Sequence, residues 1–185
     1  MNLKKLLISS IVVMAALSTQ VYAKELQAQV QKNTANANKA VKTSPVQAPS
    51  ATQAYPEISK LIEYNHCAEA DVKIRQLLNM KPNDINLLAL RAVSLAKQFK
   101  LDPAQKELDK LLKQYPKNPT LHYAQGLVFL QRTTSSDVDY IKNTRGLINS
   151  AIKEFVTAVT LNTKYYEAYN AMGVATLKLG NRNDA

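Results

Sequence analysis

The chain has 185 residues but only one cysteine (Cys67), no tryptophan, three phenylalanines and four glycines. A single cysteine excludes an internal disulfide, so any fold must be held together by its core alone. The scarcity of glycine beside frequent alanine and leucine favours helices over sheets. Because 46% of the residues are hydrophobic, the chain can supply the core that such a fold needs.

Motifs that carry chemistry are also missing. The sequence has no glycine-rich phosphate loop, no histidine pair at helical spacing and no Cys-x-x-Cys. His66 is adjacent to Cys67, but a metal site needs three or four converging ligands. A catalytic cysteine needs a base and an orienting partner, which adjacency in sequence does not provide. We therefore predict that the protein is not an enzyme and has no cofactor, catalytic residue or metal site.

Charge is not segregated along the chain. Its 24 lysines and arginines against 14 acidic residues give a net charge of +10. A basic surface can attract nucleic acid, anionic lipid or acidic proteins. Since the basic residues are mixed with acidic ones, we interpret them as a solvated surface. We expect at most weak contact with an anionic surface and no nucleic-acid partner.

Residues 1–23 have the pattern of a secretory signal peptide, of a length that looks bacterial. Lys4 and Lys5 precede an apolar stretch over residues 6–17, and Val21-Tyr22-Ala23 offers a cleavage site. The stretch is shorter than the about 20 residues of a membrane helix, so we expect no transmembrane helix in the mature chain. The alternative is an uncleaved N-terminal anchor. Cleavage would make the protein exported, to the periplasm or the extracellular medium.

Residues 24–54 have the composition of a disordered linker. They are rich in Gln, Ala, Asn, Lys, Ser and Thr, contain Pro45 and Pro49, and include no aromatic residue. Such a segment cannot bury enough apolar area to offset the entropy lost on ordering. Its four lysines against one glutamate make it mildly basic.

From Tyr55 onward the sequence repeats itself. The pattern Ala70-x3-Ile74-x2-Leu77-x4-Pro82 returns 34 residues later as Ala104-x3-Leu108-x2-Leu111-x4-Pro116, and in part from Ala151 to Ala158. The segment before each pattern carries a small residue four positions after a larger one. These pairs are Leu88 and Ala92, His122 and Gly126, and Tyr169 and Gly173. A small residue in this position lets two helices cross closely.

Together these patterns resemble the tetratricopeptide repeat (TPR) family over about 130 residues. The resemblance implies an all-α solenoid in which antiparallel helix pairs stack in a right-handed superhelix, after a signal peptide and a disordered tether. It places the solenoid at 55–185, with units at 55–84 (degenerate), 85–118, 119–165 (with an insertion) and 166–185 (incomplete). In this frame His122 occupies a large core position and is interpreted as packing.

Two features depart from the family pattern. The third unit carries an insertion within residues 131–150. In it, Ser136 and Asp139 form a capping-box pattern. This pattern predicts an extra turn or short helix before a lengthened second helix. The last unit stops at the start of its second helix. We expect either that the chain is a piece of a longer protein or that its last helix is itself the cap.

In TPR proteins the first helix of each pair lines a concave groove at positions two, five, nine and twelve. The resemblance thus implies groove residues at Asn86, Ala89, Val93, Tyr123, Leu127, Leu130, Asn170 and Val174, with Ala96, Thr120, Glu167 and Leu177 at the remaining positions. The family's carboxylate clamp, a Lys and an Asn at positions five and nine, is missing. The apolar lining predicts an amphipathic helix or an extended apolar peptide as ligand. Tyr123 is expected to face the groove and to contribute little to folding.

These features predict a protein–protein interaction scaffold in the bacterial envelope or outside the cell, whose partner is a protein of unknown identity. Two alternatives stay open from the sequence. One is a binder of polyanions, either nucleic acid or an envelope polymer. The other is the regulatory N-terminal part of a larger exported enzyme.

If the signal peptide is cleaved as predicted, the mature protein should begin at Lys24. Intact-mass and N-terminal peptide mass spectrometry of the protein made in a bacterium will measure this directly. A mature chain that retains Met1 would contradict cleavage and would favour the membrane-anchor alternative.

Overall fold

The computed structural model describes residues 49–135 and 143–180. Within these ranges the chain forms eight helices and no strand, which confirms the all-α prediction. The helices are α1 (Ala51–Ala54), α2 (Pro56–Glu63), α3 (Cys67–Met80), α4 (Ile85–Lys97), α5 (Leu101–Gln114), α6 (Pro119–Arg132), α7 (Thr144–Leu161) and α8 (Tyr166–Gly180). The predicted signal peptide, the linker up to residue 48 and the Ser136–Asp139 pattern lie outside the described residues.

Helix packing follows the order of the chain. Every helix contacts the next one, and α2, α4, α6 and α8 also contact one another in that order, so alternate helices form one layer. Fully buried side chains fill the space between the helices, among them Ile74, Leu87, Leu108 and Leu121. No helix in the described ranges combines the length and the hydropathy needed to cross a membrane.

The first helices of two successive pairs begin in the same way, because the same type of cap recurs 34 residues apart. The carboxylate of Asp84 accepts hydrogen bonds from the backbone N–H groups of Asn86 and Leu87, at 2.9 and 3.2 Å. The amide oxygen of Asn118 accepts the equivalent bonds from Thr120 and Leu121, at 3.0 and 3.2 Å. Each cap satisfies two of the N–H groups that a helix start leaves free and stabilises its helix by about 1 kcal/mol.

The turns that end α2 and α4 are also equivalent. Asn65 and Phe99, again 34 residues apart, have φ values of 62° and 59°. Behind them, His66 N–H donates to Leu61 O at 2.8 Å and Lys100 N–H donates to Leu95 O at 2.9 Å. Both turns are therefore Schellman motifs, which usually carry glycine at the left-handed position. Because neither residue is glycine, the sequence alone did not reveal these turns.

The insertion lengthens a helix, as predicted. Helix α6 ends at Arg132, and α7 then runs for 18 residues, whereas the second helices α3 and α5 each have 14. Residues 136–142 between them lie outside the described ranges.

The two glycines at equivalent positions have different surroundings. A Cβ added at Gly126 would lie 2.4 Å from Cε1 of Phe155, so α6 and α7 approach closely at this point, as expected from the sequence. A Cβ added at Gly173 would meet nothing within 4 Å, although the same close crossing was expected there. In the described residues α8 has no helix after it to provide the counterpart of Phe155.

This difference predicts opposite effects for one substitution. Gly126→Ala should lower the free energy of unfolding by about 1–3 kcal/mol, because the new methyl group displaces Phe155. Gly173→Ala should raise it by about 0.5–1 kcal/mol, because alanine has the better helix propensity and meets no obstacle. Urea denaturation of the two variants measures both values. A destabilising Gly173→Ala would mean that some other segment packs against α8.

Candidate peptide-binding groove

A groove of about 380 Å³ lies among α1, α2, α4, α6 and α8. Much of its wall is apolar, formed by small and branched side chains on the layer of alternate helices. Its lining residues are Ala51, Thr52, Ser59, Ile62, Glu63, Ala89, Leu90, Val93, Lys97, Thr120, Tyr123, Ala124, Leu127, Glu167, Asn170, Ala171 and Val174. We refer to this feature as the groove.

The structure brings most of the sequence-predicted groove residues together. Six of the eight line the groove: Ala89, Val93, Tyr123, Leu127, Asn170 and Val174. Asn86 and Leu130 do not line it. The amide oxygen of Asn86 instead accepts a hydrogen bond at 3.2 Å from the hydroxyl of Thr120, its counterpart in the next pair. Leu130 lies half-buried near the end of α6.

The six residues differ in how much of their surface is exposed to a ligand. Ala89 and Val93 are buried, with 1% and 8% of their surface exposed, and they form the floor. Val174 is 50% exposed, and Asn170 is also exposed. Tyr123 and Leu127 are partly exposed. A ligand would therefore contact α6 and α8 most extensively.

Sequence reasoning missed the contribution of α1 and α2 to the groove. Ser50 begins α1 with a capping box, because its hydroxyl accepts from the N–H of Gln53 and its own N–H donates to the Gln53 side chain. The Ser50 hydroxyl also donates to Oε1 of Glu167 on α8, at 2.7 Å. Packing of the chain thus includes residues 50–54, which we had interpreted as linker. The Ser-x-x-Gln spacing was the sequence signal for this helix start.

Tyr123 belongs to the core as well as to the groove. Its ring centroid lies 6.0 Å from that of Phe155 and 5.1 Å from that of Tyr165. Burial, with smaller contributions from the charges of Glu167 and Glu63, raises the pKa of Tyr123 to about 12. Truncation to alanine would remove these ring contacts and destabilise the fold. The expectation that Tyr123 contributes little to folding was therefore wrong.

Two carboxylates give the groove an acidic character, of which the sequence predicted Glu167 but not Glu63. Glu63 and Glu167 both line it, against one basic residue, Lys97. Among the described residues neither glutamate forms an ion pair. Oε2 of Glu167 is buried without a hydrogen-bond partner, as is the hydroxyl of Ser59. The wall of the groove therefore contains two polar atoms that no described residue satisfies.

His122 makes an ion pair rather than simply filling space. Its Nδ1 lies 2.7 Å from Oε2 of Glu154 on α7, and its Nε2 lies 2.9 Å from the carbonyl oxygen of Pro116. Both neighbours are acceptors, so both ring nitrogens donate only when the ring is protonated. The hydrogen bond to Glu154 raises the pKa of His122, although burial opposes it. His122 is not among the residues that line the groove.

The described residues contain no cluster of three or more histidine, cysteine or acidic side chains suited to a metal ion. Cys67 is a buried free thiol at the start of α3. The chain matches no protein-family model, no curated protein and no solved structure. The function of the groove must therefore be argued from its own geometry.

The His122–Glu154 pair predicts a pH dependence of stability. Folding raises the pKa of His122. The contribution of the pair to the free energy of unfolding is therefore fully present below a pH of about 6.5, the ordinary histidine pKa, and is lost as the pH rises through the folded pKa. His122→Gln should thus cost about 1–3 kcal/mol near pH 5.5 and less near pH 9. Urea denaturation at both pH values measures the difference.

His66→Gln is the matched control, since His66 is 60% exposed and its nearest carboxylate, on Glu69, is 4.0 Å away. This variant should keep the pH dependence of the wild type. Equal pH dependence in the wild type and in His122→Gln would show that the buried pair does not stabilise the protein.

Proposed function

We propose that this chain is an exported, non-enzymatic scaffold of the TPR type that binds a segment of a partner protein in the groove. The observation that carries the proposal is the groove itself, an apolar channel on the layer formed by alternate helices. Its volume of about 380 Å³ is within the range of pockets that hold a few side chains. Grooves of this kind bind amphipathic helices or extended apolar peptides.

Local geometry supports the assignment to a TPR-type repeat, for which we propose the family's right-handed superhelix. The caps at Asp84 and Asn118 recur with the 34-residue period of the sequence pattern, and so do the turns at Asn65 and Phe99. The close crossing at Gly126 is what the family pattern needs from a small residue at that position. Equivalent residues thus perform equivalent structural roles in successive pairs, as a repeat requires.

Export to the periplasm or the extracellular medium rests on the sequence of residues 1–23. Their two lysines, apolar stretch and small cleavage-site residues support secretion. A partner would then be a protein of the bacterial envelope or of the surroundings of the cell.

The net charge of +10 favours a second candidate, a binder of polyanions. The groove does not support it, because Glu63 and Glu167 outnumber Lys97 there and would repel an anionic polymer. A polyanion would have to bind on another surface, with an affinity that falls steeply as salt is added.

A groove ligand predicts different effects for two substitutions on α8. Val174→Ser should weaken partner binding about fivefold or more, because it removes apolar area that the ligand covers. Leu177→Ser removes a larger side chain, 67% exposed, that does not line the groove, and should leave binding unchanged. Isothermal titration with the captured partner measures both dissociation constants.

The partner itself can be captured with a photo-crosslinking amino acid at position 170, which is exposed and lines the groove. The same amino acid at position 110, exposed on α5 outside the groove, is the control. A protein crosslinked from envelope extracts at 170 and not at 110, and lost in Val174→Ser, supports the proposal. Equal crosslinking at both positions would contradict it.

A further inference from the structure

The charge of the groove is opposite to the charge of the protein. The chain carries a net charge of +10, yet two of the three formally charged side chains that line the groove are glutamates. Neither Glu63 nor Glu167 forms an ion pair among the described residues. Lys97 lines the same groove but is not within ion-pair distance of either carboxylate. Glu63 is exposed and Glu167 is partly buried, and two like charges that line one groove without an ion-pair partner favour a cation brought by a ligand.

The carboxylate of Glu167 is held in place with one oxygen unsatisfied. Its Oε1 accepts the hydrogen bond from the Ser50 hydroxyl at 2.7 Å, which restricts how the group can turn. Its Oε2 is buried and has no hydrogen-bond partner. The Ser59 hydroxyl, also in the groove, is likewise buried without a partner. Since buried polar atoms are nearly always hydrogen-bonded, these two atoms indicate a missing donor or acceptor.

Glu63, Glu167 and Tyr123 all line the groove. Besides burial, the charges of Glu167 and Glu63 both raise the pKa of the Tyr123 hydroxyl. These glutamates come from α8 and α2, on different sides of the groove, while Tyr123 lies on α6 between them in the layer. Residues from three helices thus place two carboxylates and one phenol in the lining of the same groove.

We propose that the partner segment carries an arginine or lysine between apolar residues, and that Glu63 and Glu167 bind this basic side chain beside Tyr123. The inference rests on the proposed function, since it names the chemistry of the segment that the groove takes. Its apolar residues would contact Val93, Leu127 and Val174. An arginine fits best, because its several donors match carboxylate oxygens and it is less strongly hydrated than lysine.

The same arrangement explains which segments are rejected. A segment with an aspartate or glutamate at this point would place a third carboxylate in a groove that already holds two, and like charges repel. A wholly apolar segment would fill the groove but would give neither carboxylate a cation. The two glutamates thus act as specificity residues, while the apolar wall supplies contact area.

The test begins with short random peptides displayed on phage and selected on the full chain. Selected peptides should contain an arginine or lysine flanked by apolar residues. A synthetic selected peptide is then compared with its twin, in which citrulline replaces arginine, or norleucine replaces lysine, to remove the charge. The dissociation constant should rise about tenfold or more for the uncharged twin. In the double variant Glu63→Gln with Glu167→Gln, the two peptides should bind nearly alike.

Glutamine is the appropriate substitution because its amide oxygen can still accept the Ser50 hydrogen bond at position 167. Glu69→Gln is the control, since Glu69 is exposed on α3 and does not line the groove, so the same charge is lost elsewhere. This variant should discriminate between the two peptides as strongly as the wild type does. Circular dichroism of each variant verifies that it is folded.

Four other outcomes would overturn the inference. The selected peptides could depend on Val174 but contain no basic residue, or their charge could matter equally in the wild type and in the double Gln variant. Either result would refute recognition of the charge and leave groove binding intact. Selected peptides that bind Val174→Ser as well as the wild type would refute groove binding and the inference together. Free arginine or lysine that competes as well as the whole peptide would show a small-molecule site instead of a peptide groove.

Discussion

Phe155 and Gly126 make the contact on which much of the rest of the structure depends. The ring of Phe155 occupies the space in which any side chain at position 126 would begin, so α6 and α7 pack more closely than they otherwise could. The chain has one cysteine and no disulfide, so helix crossings such as this one must hold the fold. Phe155 in turn supports Tyr123, which also meets the ring of Tyr165. One close approach therefore positions the aromatic residue at the centre of the groove.

A second constraint acts across the whole described region. The hydrogen bond from Ser50 to Glu167 joins residues 117 positions apart and links the start of α1 to the last described helix. It places Ala51 and Thr52 in the wall of the groove and fixes one carboxylate oxygen. The groove is thus formed by the layer of alternate helices and bounded on one side by α1. Its shape and its charge both depend on this contact between distant parts of the chain.

The net charge of the whole protein and the local charge of the groove have different consequences. The net charge of +10 is a property of the whole surface, and it determines solubility and weak, salt-sensitive attraction to anions. The pair Glu63 and Glu167 is a local property of the groove, where a bound cation would lie much closer to these two charges than to the basic surface as a whole. Composition alone would point to an anionic partner. The arrangement of side chains instead favours a basic one, because affinity in a groove depends on the few charges that line it.

The sequence by itself determined the helical class, the pairing of helices and most of one groove wall. It could do so because these properties follow from residues that recur every 34 positions, such as Ala70 and Ala104 or Ala92 and Gly126. Residues at this fixed spacing occupy equivalent places in successive helix pairs. The capped helix starts at Asp84 and Asn118 are local in the same sense. The turns at Asn65 and Phe99 were not predicted, because their positive φ values are set by the turn and not by the residue type.

Only the tertiary structure decided what closes the groove and what charge it carries. The role of Ser50 depends on a residue of the last described helix. Glu63, which is exposed at the end of the short helix α2, lines the groove because of how α2 packs. Tyr123 likewise became a core residue because Phe155 and Tyr165 lie beside it. Such contacts join positions that no local period relates. A repeat pattern in sequence specifies which side chains share a helix face, but the partner of each face depends on how the helices pack.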